Sequence, residues 1–347
     1  MRAKRITACL LGGVMAASVL FGCGGVDKNA TVATFDETKV PLGVANFAAR
    51  LQQANYDDFY VAYFGEEVWS SDLYGSGTTM ADDVKSGIMD SLFAMYTLEA
   101  HSVEYGVTLS AEDEAAIADA ASGFLAANSS DAINALGADQ NVVERYLTLY
   151  TIQQRMYDAI IAQADTEVSD EEANTSAYSY VRVSKTTYTD ADGNSAEYDE
   201  AGLEELAVTV GEFNAEAREG TLENAAEAYG YTVNTGTFTA DDETMQVEIL
   251  AALSDLEEGE VSEVVERDEA YYILRLDART DEQATEGTRQ SIIAQRRSDL
   301  YNDTLTGWQE GHTWTVDEKV WATVVFDNLF TTVPQATDTE TLESTEQ

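Results

Sequence analysis

Apolar positions along the chain follow two regimes: long stretches at helical spacing and one compact block where short period-two runs dominate. Val44, Phe47, Leu51 and Ala54 recur at three- and four-residue intervals. So do Val84, Ile88, Leu92 and Met95/Tyr96 within 81–105, where Gly106 supplies the stop. Ser110 and Asp113 have the spacing of a capping box ahead of Ile117, Ala120/Ala121 and Phe124/Leu125. After a short helix ending at Leu136, Asp139 stands as the cap of the strongest periodic run, Val142/Val143 through Ile160/Ile161. Ser169-Asp170-Glu171-Glu172 opens one more short helix, expected to end near Tyr178. In front of these helices, 31–35 reads as a strand, 36–39 as a turn and 40–42 as the start of the first helix.

The second regime begins with the alternating run Ser179 to Val183. A helix over 199–219 follows, with Leu203, Leu206, Val210 and Phe213 inward, and then a short helix stopped by Gly230. The remainder predicts a strand over 231–239, a helix with Val247, Leu250 and Ala251 on its apolar face, and two strands, 261–266 and 270–276, around the polar turn 267–269. Helical spacing returns over 281–308, where Arg289, Arg296 and Arg297 oppose Ile292/Ile293, and 312–325 reads as β-like around Trp314 and Trp321.

Composition changes the picture at the N-terminus. Arg2, Lys4 and Arg5 precede an apolar run from Ile6 to Phe21, too short to span a bilayer comfortably and laid out like a signal peptide. The run ends Leu20-Phe21-Gly22-Cys23, which resembles a bacterial lipobox. That resemblance implies lipidation at Cys23 and an exported protein anchored to the outer face of the cell membrane, partnered by the bilayer through its lipid. Cys9 leaves with the leader, so neither a disulfide nor a cysteine-based metal site remains. Losing Arg2, Lys4 and Arg5 lowers the 19 basic residues to 16 against 64 acidic ones, a net charge of −48 in place of −45. Such a surface repels phosphates, so no nucleic-acid partner is expected; it either attracts cationic or unfolded basic chains or serves as a solvated acidic shell that keeps an exposed protein from aggregating.

Candidate chemistry is sparse. There is no HExxH, P-loop or GxSxG motif, and the two histidines, His101 and His312, lie far apart in sequence. Asp190, Asp192, Asn194, Asp199 and Glu200 suggest a calcium loop, but Gly193 is misplaced and Ala201 stands where the closing Glu belongs. No metal and no cofactor are expected. Tyr56, Phe59, Tyr60, Tyr63, Phe64, Trp69 and Tyr74 form an aromatic-dense patch. It is either a client-binding surface or helix packing.

The stretch "Gly259-Glu260-Val261-Ser262" followed by Ala270 to Leu276 resembles the second half of a parvulin-type (PpiC) prolyl isomerase domain. The order of helices around "Tyr-Gly-Val-x-Leu-Ser" at 105–110 and "Val-Ser-Asp-Glu-Glu" at 168–172 resembles the SurA/PrsA foldases over nearly the whole mature chain. The resemblance implies an α+β protein: a discontinuous helical chaperone domain with an inserted parvulin-like domain, a small antiparallel sheet flanked by helices. It divides the chain into a signal peptide (1–22), a tether (23–29), a helical domain (30–178 and 281–332), the insert (179–280) and a disordered tail (333–347). In the parvulin family two histidines on central strands meet under the proline ring. Here Tyr180 and Tyr272 stand in their places, with Met245 and Ile249 at the Met and Phe positions of the proline slot. The function implied is a chaperone that binds unfolded exported polypeptides, its isomerase-like module lacking strong catalysis. The alternatives are a working isomerase with a substituted site, and a surface adhesin or ligand-binding lipoprotein.

Overall fold

A computed structural model describes residues 14–17, 27–189, 193–326 and 329–333. It is an α+β protein that divides into two compact units: residues 1–163 with 298–347, and residues 164–297.

In the first unit, strand β1 (Val14–Ala17) lies within the expected leader, and β2 (Thr31–Phe35) and β3 (Thr38–Pro41) form a hairpin. The sequence predicts a turn over 36–39; strand pairing resumes at Thr38 because Asp36 makes the reversal itself, at φ 50°. Five helices follow: α1 (Leu42–Phe64), α2 (Met80–His101), α3 (Ala111–Ala127), α4 (Ser130–Leu136) and α5 (Gln140–Ile161). Caps set the starts of α3 and α5 as the sequence indicates. Ser110 and Asp113 exchange capping-box hydrogen bonds, and Asp139 accepts the Val142 N–H at 3.0 Å. Val44, Phe47, Leu51 and Ala54 are all buried, Phe47 edge-on to Phe124 at 5.6 Å.

The second unit opens with α6 (Asp170–Ala173), which stops well short of Tyr178. Backbone pairing takes over there: β4 (Ser176–Ser184) is a central strand, bonded along its length to neighbours on both sides. A small hairpin, β5 (Thr187–Thr189) with β6 (Ser195–Glu197), leads to α7 (Glu200–Glu219) and α8 (Leu222–Tyr229). Gly230 closes α8 in the left-handed region, as its sequence position requires. β7 (Val233–Phe238), α9 (Val247–Asp255), β8 (Val265–Glu266) and β9 (Ala270–Ala278) complete an antiparallel four-stranded sheet of order β7-β4-β9-β8. The strand expected over 261–266 survives only at its end, Val261 contributing an isolated bridge to Arg275. One face of the sheet packs Val181, Val183 and Ile273 under α7 and α8; the other packs Leu274 and Leu276 under α9.

Helix α10 (Glu282–Gln309) begins in the second unit and ends in the first. The second unit runs wider than 179–280. Asn174 and Ser176 donate to the Arg279 carbonyl, and Thr175 bonds Thr288 at 2.7 Å, fastening the first strand to the start of α10. Arg289 and Arg296 pair with Asp170 and Glu172, holding α6 to the same helix.

The chain then returns to the first unit. β10 (Trp314–Val316) adds to the N-terminal hairpin, Trp314 opposite Phe35, giving a sheet of order β10-β2-β3. Trp321, expected in a strand, lies in a short helix, α11 (Glu318–Trp321), because Asp317 caps the Lys319 and Val320 N–H groups. Trp321 and Val324 are buried with Leu92 and Leu149. β11 (Phe330–Val333) pairs with β1, so Val333 stands in a strand, whereas the tail beyond it lies outside the described residues.

Candidate functional site

Register on β4 and β9 builds the first site. Tyr180 stands opposite Leu274, Arg182 opposite Tyr272 and Tyr178 opposite Leu276. Opposed residues of an antiparallel pair share a face, so Tyr178, Tyr180 and Tyr272 line the face under α9. The Tyr178 and Tyr180 rings stack at 5.6 Å, and Tyr180 lies 6.4 Å from Tyr272. Phe238 meets Tyr178 edge-on at 5.8 Å. Met245 and Ile249 pack into the same cluster, so the four positions singled out in the sequence come together on one face. Tyr180 and Tyr272 meet by ring contact, and the Tyr272 hydroxyl accepts from Arg182 Nε at 3.2 Å.

Four members of this face escaped the sequence reading: Tyr178, Gly236, Phe238 and Asp242. The sequence predicts a helix ending near Tyr178, whereas its period-two spacing with Tyr180 is the signal that matches its place in β4. Gly236 lies directly opposite Tyr178, and a Cβ there would stand 2.7 Å from the ring. Asp242 shapes the loop that presents Met245. Its Oδ1 accepts from the Thr244 hydroxyl at 2.6 Å, the Thr244 N–H at 2.9 Å and the Met245 N–H at 3.1 Å. The Thr244 hydroxyl in particular holds the Asp242 carboxyl below its ordinary range, so it is ionised and occupied. Burial, reinforced by Tyr180, Asp242 and Tyr272, pushes the Tyr178 phenol up and keeps it protonated. The face therefore offers apolar and aromatic contact with hydroxyl tips, and no imidazole or thiol.

The second site is the aromatic patch at the end of α1. Trp69 does not belong to an open surface. It is 3% exposed, and its Nε1 donates to the buried Asp57 at 2.7 Å. Asp57 also takes the Phe330 N–H at 2.7 Å, and burial raises its pKa. Tyr56 and Tyr60 are half-buried, edge-on at 5.2 Å. Phe59 (57%), Tyr63 (72%), Phe64 (55%) and Tyr74 (69%) are exposed. They are contiguous: Phe59 lies 4.7 Å from Tyr63, Tyr60 touches Phe64, and Tyr74 lies near the Tyr60 hydroxyl. Cys23, the expected lipid site, lies outside the described residues.

Residues 188–286 match the family model of the PPIC-type PPIASE domain. The chain thus carries a PPIC-type domain over less than a third of its length, Tyr272, Met245 and Ile249 within the matched range and Tyr180 before it. No curated protein matches the chain. Among solved structures it is similar to the foldase protein PrsA of Lactococcus lactis, with 14% identity, TM-score 0.31, and 85% of this chain and 97% of that one covered. It is also similar to a Campylobacter jejuni structure from the pair PEB4 and Cj1289, described as SurA-like chaperones, with 11% identity, TM-score 0.28 and coverage of 83% and 99%. A third similar structure is the peptidylprolyl isomerase PrsA of Bacillus cereus, with 17% identity, TM-score 0.30 and coverage of 70% and 90%.

Proposed function

We propose that this chain is an exported chaperone, anchored by a lipid on Cys23, that holds unfolded polypeptides on the first unit and uses its PPIC-type domain for binding rather than strong catalysis. The observation that carries this reading is the exposed aromatic ridge Phe59–Tyr63–Phe64–Tyr74. A contiguous apolar surface in an otherwise strongly acidic chain marks an interaction site, and the acidic surroundings favour basic, unfolded segments as its occupants. The compartment follows from the lipobox-like Leu20 to Cys23; among the described residues no helix is long and apolar enough to cross a membrane.

Light scattering of an aggregating basic client tests the reading. The mature chain should suppress aggregation, and Phe59→Ser with Tyr63→Ser should remove most of that suppression while leaving the circular dichroism unchanged. Equal suppression by the double variant would refute the ridge as the client site.

The match to the PPIC-type domain favours a second reading, a working prolyl isomerase. Lowering the ~18–20 kcal/mol amide barrier requires groups that favour the twisted bond. The tyrosine-lined face offers a slot for a proline ring without the imidazoles of that family. A protease-coupled assay on an Ala-Pro peptide should therefore show little acceleration. Clear turnover, abolished by Met245→Ala, would establish the second reading instead.

A further inference from the structure

The chain's two histidines, 211 residues apart, meet in the first unit: His101 Nε2 stands 3.2 Å from His312 Nε2. Each ring is held from its other side. His101 Nδ1 faces Glu104 Oε1 at 3.0 Å, and His312 Nδ1 faces Asp36 Oδ2 at 2.8 Å. Ionised carboxylates only accept hydrogen bonds. Asp36 also accepts the Thr313 N–H at 2.8 Å on its other oxygen. Both Nδ1 atoms must then carry hydrogen, and in neutral rings both Nε2 atoms present lone pairs to each other. Two such nitrogens at 3.2 Å are held together by a cation shared between them, either a proton or a metal ion.

Ring contacts fix the arrangement. His101 stacks on Trp308 at 4.2 Å and 5°, and His312 packs on Phe35 at 4.5 Å. His101 is also the last residue of α2, where the helix carbonyls favour positive charge. Asp36 reaches its position through a left-handed backbone, and its N–H donates to the Thr313 carbonyl at 2.8 Å.

From this geometry we propose that His101 and His312 bind a divalent transition-metal ion of the class that prefers imidazole (zinc, copper or nickel), with Glu104 and Asp36 orienting the ligands. Imidazole nitrogens bound to zinc lie at about 2.0–2.1 Å, so two of them on a tetrahedral ion are about 3.3–3.4 Å apart, close to the separation here. The carboxylate on the far nitrogen is the usual support of a metal-binding histidine. The side chains are about one-fifth exposed (20% and 19%), which admits water to the remaining positions. Among the described residues no group of three or more His, Cys, Asp or Glu side chains could enclose the ion, so water completes the coordination. The ion ties the returning segment after α10 to the end of α2 and the β2–β3 turn, and binding only the folded state it raises stability by mass action.

The test is a titration of the chelator-stripped mature chain with Cu²⁺ read by electron paramagnetic resonance, alongside a Zn²⁺ titration read by thermal unfolding. The expected result is one site with two nitrogen ligands, a thermal midpoint that rises with Zn²⁺, and loss of both in His101→Gln and His312→Gln. Asp36→Asn should keep the nitrogen ligands and weaken binding tenfold to hundredfold. Should a histidine variant fail to fold, the wild type decides: the ring C–H signals of its two histidines must shift together with one equivalent of Zn²⁺. Oxygen-only Cu²⁺ coordination, variants that bind like wild type, or histidine signals that move with pH but not with metal would each overturn the proposal. The last result would leave a shared proton as the bridging cation.

Discussion

The contact between Gly236 and Tyr178 shows how tightly the tyrosine face is set at the scale of single residues. A methyl group at 236 would meet the ring at 2.7 Å, and the ring is confined by Tyr180 and Phe238. Gly236→Ala is expected to destabilise the protein by about 1–3 kcal/mol through overpacking, outweighing the ~0.4–1 kcal/mol that a Gly→Ala change contributes where the backbone tolerates it. Urea unfolding measures the sum, and in a Tyr178→Ala background the same change should become neutral or favourable. Asp113 supplies a pH-dependent case. Hydrogen bonds from Arg155 at 2.5 and 3.0 Å, and from the Ser110 backbone at 2.9 Å, hold its carboxyl far below the ordinary range. A group with a depressed folded pKa stabilises above its unfolded value, about 3.9, and loses that contribution as pH falls toward the folded value. The stability gap between wild type and Asp113→Asn should therefore be full at pH 7 and shrink steadily below about pH 4; a gap unchanged at pH 2 would contradict this.

At the scale of elements, spacing located nearly every helix, and its errors have local causes. The face of α9 was read through Val247, Leu250 and Ala251, yet Val247 is 78% exposed, whereas Ile249 and Leu253 are buried against the sheet. A nine-residue helix rich in apolar residues has no unique stripe in sequence, and the sheet beneath it selects the side that packs. Leu253→Ala is thus expected to cost about 2–5 kcal/mol and Val247→Ala no more than about 0.5 kcal/mol, as chemical denaturation would measure. Two other elements changed type or length for equally physical reasons. Asp317 caps a turn of helix where alternation suggested a strand, and β4 extends back to Ser176 because two neighbours supply partners for its backbone.

For the whole molecule, charge is the dominant property: −45 for the chain, from 64 acidic and 19 basic residues. Attraction of a basic unfolded client should weaken as ionic strength rises toward ~0.15 M, where the Debye length shrinks to about 8 Å. The contribution of Phe59 and Tyr63 should persist at that salt. Fluorescence-detected binding across a salt series separates the two, and an affinity indifferent to salt would exclude the charge as a recognition element. The sequence by itself determined the helical regime, several of its caps and the sheet-forming block, because period and capping chemistry are local properties; Tyr180, Tyr272, Met245 and Ile249 were singled out only through the resemblance to the parvulin family. Tertiary structure alone decided which aromatics of the patch stay open to solvent, that Tyr178 joins the sheet face, and that His101 and His312 face each other. Those outcomes depend on strand register and on a return of the chain across some two hundred residues, and no local pattern encodes either.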